Sequence, residues 1–60
     1  MKFVKSKMMQ LVKENEELKI RLKSIMTEHE LEKTLALKAM YHSEVVEGKF
    51  QGLYQELFKG

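Results

Sequence analysis

Setting Val4 at heptad position d places Leu11, Leu18 and Ile25 at the later d positions, and Met1, Met8, Asn15, Leu22 and His29 at a. The steps alternate between four and three residues, a 3.5-residue period that keeps one stripe against a partner when two helices supercoil left-handedly. This predicts a coiled-coil segment over residues 1–29 with Val4, Met8, Leu11, Asn15, Leu18, Leu22 and Ile25 as its dimer seam. Aliphatic d positions with one asparagine at a favour a parallel homodimer. Asn15 then meets its symmetry mate, whereas a slipped or higher-order packing leaves its amide unsatisfied at roughly 1–3 kcal/mol. Glu14 at g would reach Lys19 at e of the other chain. Val12 and Met26, also at e, widen the stripe and admit a trimer or a packed third element.

Beyond residue 29 the heptad fails, with Glu32 on the next d position. Leu31, Leu35, Ala39, His42, Val46, Phe50, Leu53 and Leu57 instead recur in steps of four, four and three, an eleven-residue period that straightens or reverses a supercoil. Leu37, Met40, Tyr41 and Val45 broaden the apolar surface, so residues 30–47 read as a wide-faced helix against more than one neighbour. Thr27, with Glu30 three residues on and Leu31 after it, matches a capping box, which starts helices. The chain is therefore either continuous through 26–29 or bent there into a helical hairpin. With no glycine, proline or polar cluster at 24–29, the continuous helix is the preferred reading.

Gly48 is the better-marked end, because it can take the left-handed conformation that closes a helix, and Gly52 lowers helix propensity again. Phe50, Leu53, Tyr54, Leu57 and Phe58 then form the i, i+3, i+4, i+7, i+8 set of one helical face, so residues 48–60 read as a short amphipathic helix. A β-hairpin turning at Glu47-Gly48 is the runner-up, and the helical spacing argues against it. The expected fold is all-α: a long N-terminal coiled-coil helix followed by a short C-terminal amphipathic helix.

Size bears on assembly. Sixty residues remove only about 60% of their surface from water on folding, and such chains usually recruit disulfides, a metal or self-association. There is no cysteine, and two histidines support a metal site poorly, which leaves self-association; no cofactor is expected. Charges interrupt every apolar run short of the roughly 18 residues that a membrane span needs, and MKFVKSKMMQ lacks the apolar stretch of a secretory signal. A soluble, intracellular chain is expected. Its bias to lysine over arginine suits a virus, acting in host cytoplasm, or an AT-rich bacterium. The net charge of +2 is unevenly spread: residues 1–26 hold seven basic side chains against three glutamates, and the rest four lysines against six glutamates. A mixed Lys/Glu helix surface usually serves solubility.

The a/d layout of residues 1–29, with its asparagine at a, resembles a leucine zipper, although no long basic region precedes it. Two copies of His29 facing across the seam would form a pH switch near pH 6, against the plainer reading of a histidine at the wet end of a coil. Glu28, Glu30 and Glu32 alternate and so spread around a helix instead of converging as an acid/base pair. No nucleophile–base or HExxH spacing occurs, so catalysis is not expected.

The function expected is that of a small non-catalytic homo-oligomer. It serves as an assembly element, or as a regulator or inhibitor occupying another protein's surface. Phe50, Leu53, Tyr54, Leu57 and Phe58 are the candidate partner-binding face, unless they fold back after Gly48 to cover Met40, Tyr41 and Val45 as core. The alternative is a dimeric nucleic-acid-binding regulator with Lys2, Lys5, Lys7 and Lys13 along phosphates.

Overall fold

A computed structural model describes residues 2–59, so Met1, an a position in the heptad register, lies outside the described residues. Among those described, 74% are helical and none lies in a strand. Helix α1 spans Lys5–Glu14, α2 Glu16–Glu28 and α3 Lys33–Met40; α3 runs directly into a π-helical segment, Tyr41–Val46, and α4 spans Gln51–Glu56. An unbroken helix over residues 2–47 would be about 69 Å long. The longest dimension of the molecule is 33 Å. The single long helix expected from the periodicity is therefore not formed, and the chain is several short helices packed on one another.

The first break falls at Asn15, the residue expected to set the register of a dimer. It is extended, with φ −131° and ψ 110°, and serves as the last cap of α1 and the first of α2. Its side-chain amide donates to the Leu11 carbonyl at 2.7 Å. Its own carbonyl accepts from the Leu18 and Lys19 amides at 3.0 and 3.1 Å. Asparagine offers the backbone this local alternative to helix, and heptad spacing cannot register the competition. Glu16 and Glu17 then stand at the positive end of the α2 dipole.

The second break follows His29. Glu30 has φ 51°, the left-handed region, and the Leu31 amide donates to the Met26 carbonyl at 3.2 Å, the six-to-one bond of a Schellman closure. The bend near 26–29 is thus real, but the Thr27–Glu30 pattern marks the end of α2 and not a beginning. The cap of α3 is Glu32, which makes no side-chain capping bond.

The third turn contains Gly48, and the left-handed conformation expected there is absent: no described glycine has positive φ. Space requires the glycine instead. A Cβ at this position would lie 2.5 Å from the Glu44 carbonyl oxygen and 2.7 Å from both the Glu44 Cα and the Ser43 carbonyl oxygen. The Phe50 amide donates to that same Glu44 carbonyl at 2.9 Å, which closes the turn into α4.

The core draws on every element. Met8 and Leu11 of α1 and Leu18 and Leu22 of α2 are buried against Leu37 and Met40 of α3, with Tyr41, Val45, Phe50 and Tyr54 completing it. Four of the heptad apolar positions, Met8, Leu11, Leu18 and Leu22, are thus buried by other segments of the same chain. Along α3 and the π-helical segment the eleven-residue stripe faces outward: Leu35, Ala39, His42 and Val46 are exposed, while Ala36, Leu37, Met40, Tyr41 and Val45 turn in. A face this wide has two possible inner edges. Turning in Met40 and Tyr41, instead of Ala39 and His42, removes more apolar area from water.

Tyr54 joins the two ends of the chain. Its hydroxyl accepts from the Val4 amide at 2.9 Å and donates to the Lys2 carbonyl at 2.8 Å. The ring packs edge-on against Tyr41 and Phe58, at 5.4 and 5.2 Å between centroids, and Phe3 reaches Tyr41 at 5.6 Å. An ion pair of Arg21 with Glu44, at 3.3 Å, ties α2 to the π-helical segment.

Candidate interaction groove

Where α1, α2 and α3 converge the surface opens into a groove of about 720 Å³. Its floor consists of Val12, Leu22 and Leu37, one residue from each helix, with Met9 forming an apolar wall. The floor residues are buried, whereas Met9 is 37% exposed, so the wall offers hydrophobic surface that the fold leaves uncovered. Ser6 and Gln10 extend the α1 wall. The rim carries three cations, Lys13, Lys19 and Lys33, again one per helix, and no carboxylate lines the groove.

Ser6, Met9, Gln10 and Lys13 follow each other at steps of three, one and three, the stripe of a single helical face. That face is the reverse of the one that buries Met8 and Leu11. Lys13 closes the last turn of α1, where the helix dipole favours a cation. Lys19 makes a 3.5 Å pair with Glu16 of its own helix, with both side chains largely exposed, a contact worth at most tenths of a kcal/mol. Lys13 and Lys33 make no ion pair among the described residues. Three positive charges thus surround an apolar floor, and of these only Lys19 has a carboxylate partner among the described residues.

The residues picked out by periodicity are distributed differently. Of the seam set, Met8, Leu11, Leu18 and Leu22 are buried in the single chain, and Val4, Asn15 and Ile25 are half-buried. Glu14 accepts from the Gln10 side chain at 3.3 Å in its own helix, and Lys19 pairs with Glu16; neither is held by the Glu14–Lys19 link imagined across a seam. Of the C-terminal face, Phe50 and Tyr54 are buried and Leu57 packs against the core, while Leu53 and Phe58 are exposed. His29 caps α2 beside a shallow hollow lined by Ile25, Leu31, Ala39 and Ser43.

The four lysines of the nucleic-acid alternative do not share one face. Lys5 and Lys7 are separated by about 200° around α1. Lys7 lies over the Phe58 ring at 5.7 Å, Lys2 offers its carbonyl to Tyr54, and Lys13 stands on the groove rim. Sequence reading did not single out Met9, Lys19 and Lys33 as groove residues. Their only advance signal was Val12, whose e position implied a third packed element; that element is α3 of the same chain.

Among the described residues no helix is long and apolar enough to cross a membrane, and no group of three or more metal-ligating side chains occurs. Comparison with protein-family models, with curated proteins and with solved structures finds no match to this chain.

Proposed function

We propose that this chain is a small non-catalytic interaction protein that captures a segment of another protein in the groove between α1, α2 and α3. One observation carries the reading: a lysine-rimmed groove where three helices meet, whose apolar wall, Met9, stays exposed above a buried apolar floor. Apolar surface that stays in water is an unspent source of binding free energy, and burying it is the main driving force of association. The rim lysines add steering and orientation more than affinity. Nothing in the sequence supplies a nucleophile with a base at a workable spacing, so binding and not turnover is the action proposed.

Two other arrangements use some of the same residues. A parallel homodimer along Val4, Met8, Leu11, Asn15, Leu18, Leu22 and Ile25 requires α1 and α2 to straighten through Asn15 and to give up four core residues. Capture in the groove leaves the core intact. Nucleic acid would engage the lysines but leave the apolar floor uncovered, and no groove residue offers an aromatic ring for base stacking.

Site-specific photocrosslinking in the cells that make this protein tests the reading. A photoreactive residue at Met9 should yield an adduct of one discrete mass with a second protein, and the same probe at the exposed Lys38 should not. An adduct of twice the chain mass would replace the reading with self-association. No adduct at Met9 above the Lys38 background would overturn it.

A further inference from the structure

We infer that two copies of this chain exchange α1: Asn15 straightens, α1 and α2 join into one helix over Lys5–Glu28, and each copy's α1 docks where the other's was. The joint is a single residue, extended between two helices. Its hydrogen bonds are already close to those of an unbroken helix. The Asn15 carbonyl accepts from the Lys19 amide at 3.1 Å, the bond it would make in such a helix. The Leu11 carbonyl, which an unbroken helix would pair with the Asn15 backbone amide, is held instead by the Asn15 side chain at 2.7 Å. The backbone amide donates to Val12 at 3.2 Å. Straightening therefore passes the Leu11 carbonyl from the side-chain amide to the backbone amide and leaves the side chain to water.

The apolar pattern gives a second reason. Met8, Leu11, Leu18 and Leu22 keep one register across residue 15, a single stripe on an unbroken helix. The bend at Asn15 divides that stripe, so the compact chain keeps a phase it does not use. In the exchanged pair the stripe is whole, its first half against the other copy and its second against its own α3. The occupant follows from what α1 leaves behind. Met8, Leu11 and Val12 pack into the core, and the Tyr54 hydroxyl bonds Val4 and Lys2; among the described residues no ion pair ties α1 to the rest. A second α1 reproduces every one of these contacts, and a foreign helix does not. Exchange thus gives up no core contact, unlike a seam of two straightened helices, and short connections invite it. Association costs entropy, so the dilute chain folds on itself and concentration favours the pair. The inference goes beyond groove capture, because the pair rebuilds the groove with Met9 and Lys13 from one copy and Lys19, Leu22, Lys33 and Leu37 from the other.

The test compares Asn15→Ala with Asn15→Gly in the full chain. Both remove the side-chain amide from Leu11, but alanine favours helix at residue 15 and glycine opposes it. That preference is about fivefold per chain and enters twice in a pair. Asn15→Ala should therefore dimerise roughly thirtyfold more tightly than Asn15→Gly, read by sedimentation equilibrium up to millimolar chain. Isotope-labelled and unlabelled chains are then refolded together. Isotope-filtered spectra of the pair should place the Val4 amide of one chain against the Tyr54 ring of the other, a contact that the monomer makes only within itself. The parent chain at its highest concentration should show the same cross-chain contact at lower yield. A monomer in Asn15→Ala at millimolar concentration would overturn the exchange. So would a dimer without the Val4–Tyr54 contact, or equal association of the two variants. If neither variant keeps the helical content of the parent, the parent mixture decides alone, and absence of that contact overturns the exchange.

Discussion

The turn after α2 holds a glutamate, Glu30, at φ 51°, where glycine is the usual residue, whereas the turn after the π-helical segment holds a glycine, Gly48, whose φ is not positive and whose missing Cβ is what matters. At Glu30 the difficulty is conformational: an L side chain is held in the left-handed region, a modest cost offset by the Leu31–Met26 closure and by Leu31 and Met26 packing against the core. At Gly48 the difficulty is volume, because backbone atoms of Ser43 and Glu44 occupy the place of a side chain. A strained torsion can be relieved by substitution, but a backbone collision cannot be relieved without moving the turn. The second turn also carries more, since it delivers α4, and with it Tyr54, to the start of the chain.

The largest expected effect is therefore at Gly48. Gly48→Ala should destabilise by about 3 kcal/mol, as overpacking against backbone does, read as a lower midpoint in urea unfolding. Gly52 supplies the control: a Cβ there meets nothing within 4 Å, so Gly52→Ala should raise stability by about 0.5–1 kcal/mol. Equal effects at the two glycines would show that crowding at Gly48 is not what the turn depends on.

Next comes Tyr54. Removing its hydroxyl leaves the Val4 amide and the Lys2 carbonyl without their partner, so Tyr54→Phe should cost about 2 kcal/mol. Burial, the main cause, raises the hydroxyl above its ordinary pKa; the Val4 hydrogen bond acts in the opposite direction and nearby Tyr41 adds to the rise. With the folded value above the unfolded one, the stabilisation is complete below about pH 10 and is lost as pH climbs through the folded value. Thermal melts from pH 8 to 11 should show this decline in the parent chain and lose the Tyr54 contribution to it in Tyr54→Phe.

A smaller effect separates the compact fold from a dimer seam by its sign. Asn15→Ile removes the amide that satisfies Leu11 and should lower stability by about 1 kcal/mol. In a parallel coiled coil the same change replaces a polar layer with an apolar one and raises stability. Thermal denaturation at several protein concentrations reads both the sign and any concentration dependence. Smallest is Glu30→Gly, which should stabilise by about 0.5–1 kcal/mol by removing the left-handed penalty. A loss instead would show that the Glu30 side chain does something the torsion does not reveal.

The helical class, the apolar character of Met8, Leu11, Leu18 and Leu22, the short last helix and the bend allowed near 26–29 were all readable from spacing and residue type. The break at Asn15 was not, since asparagine at an a position is compatible both with a polar layer between two chains and with a joint in one. Nor was the choice of inner edge on α3, or that Gly48 acts by space while a glutamate, Glu30, takes the left-handed conformation. The groove was hardest to read. Its floor unites residues 12, 22 and 37, and its cations come from three helices whose mutual placement no local period encodes.

Residue order alone determined that this chain is helical and which side chains prefer to leave water, because propensity and periodicity act over a few residues. Only the tertiary structure decided what those side chains meet. Burial energy is nearly indifferent to whether the covering surface belongs to the same chain or to another, and it is the two joints at Asn15 and Glu30 that let this chain cover itself.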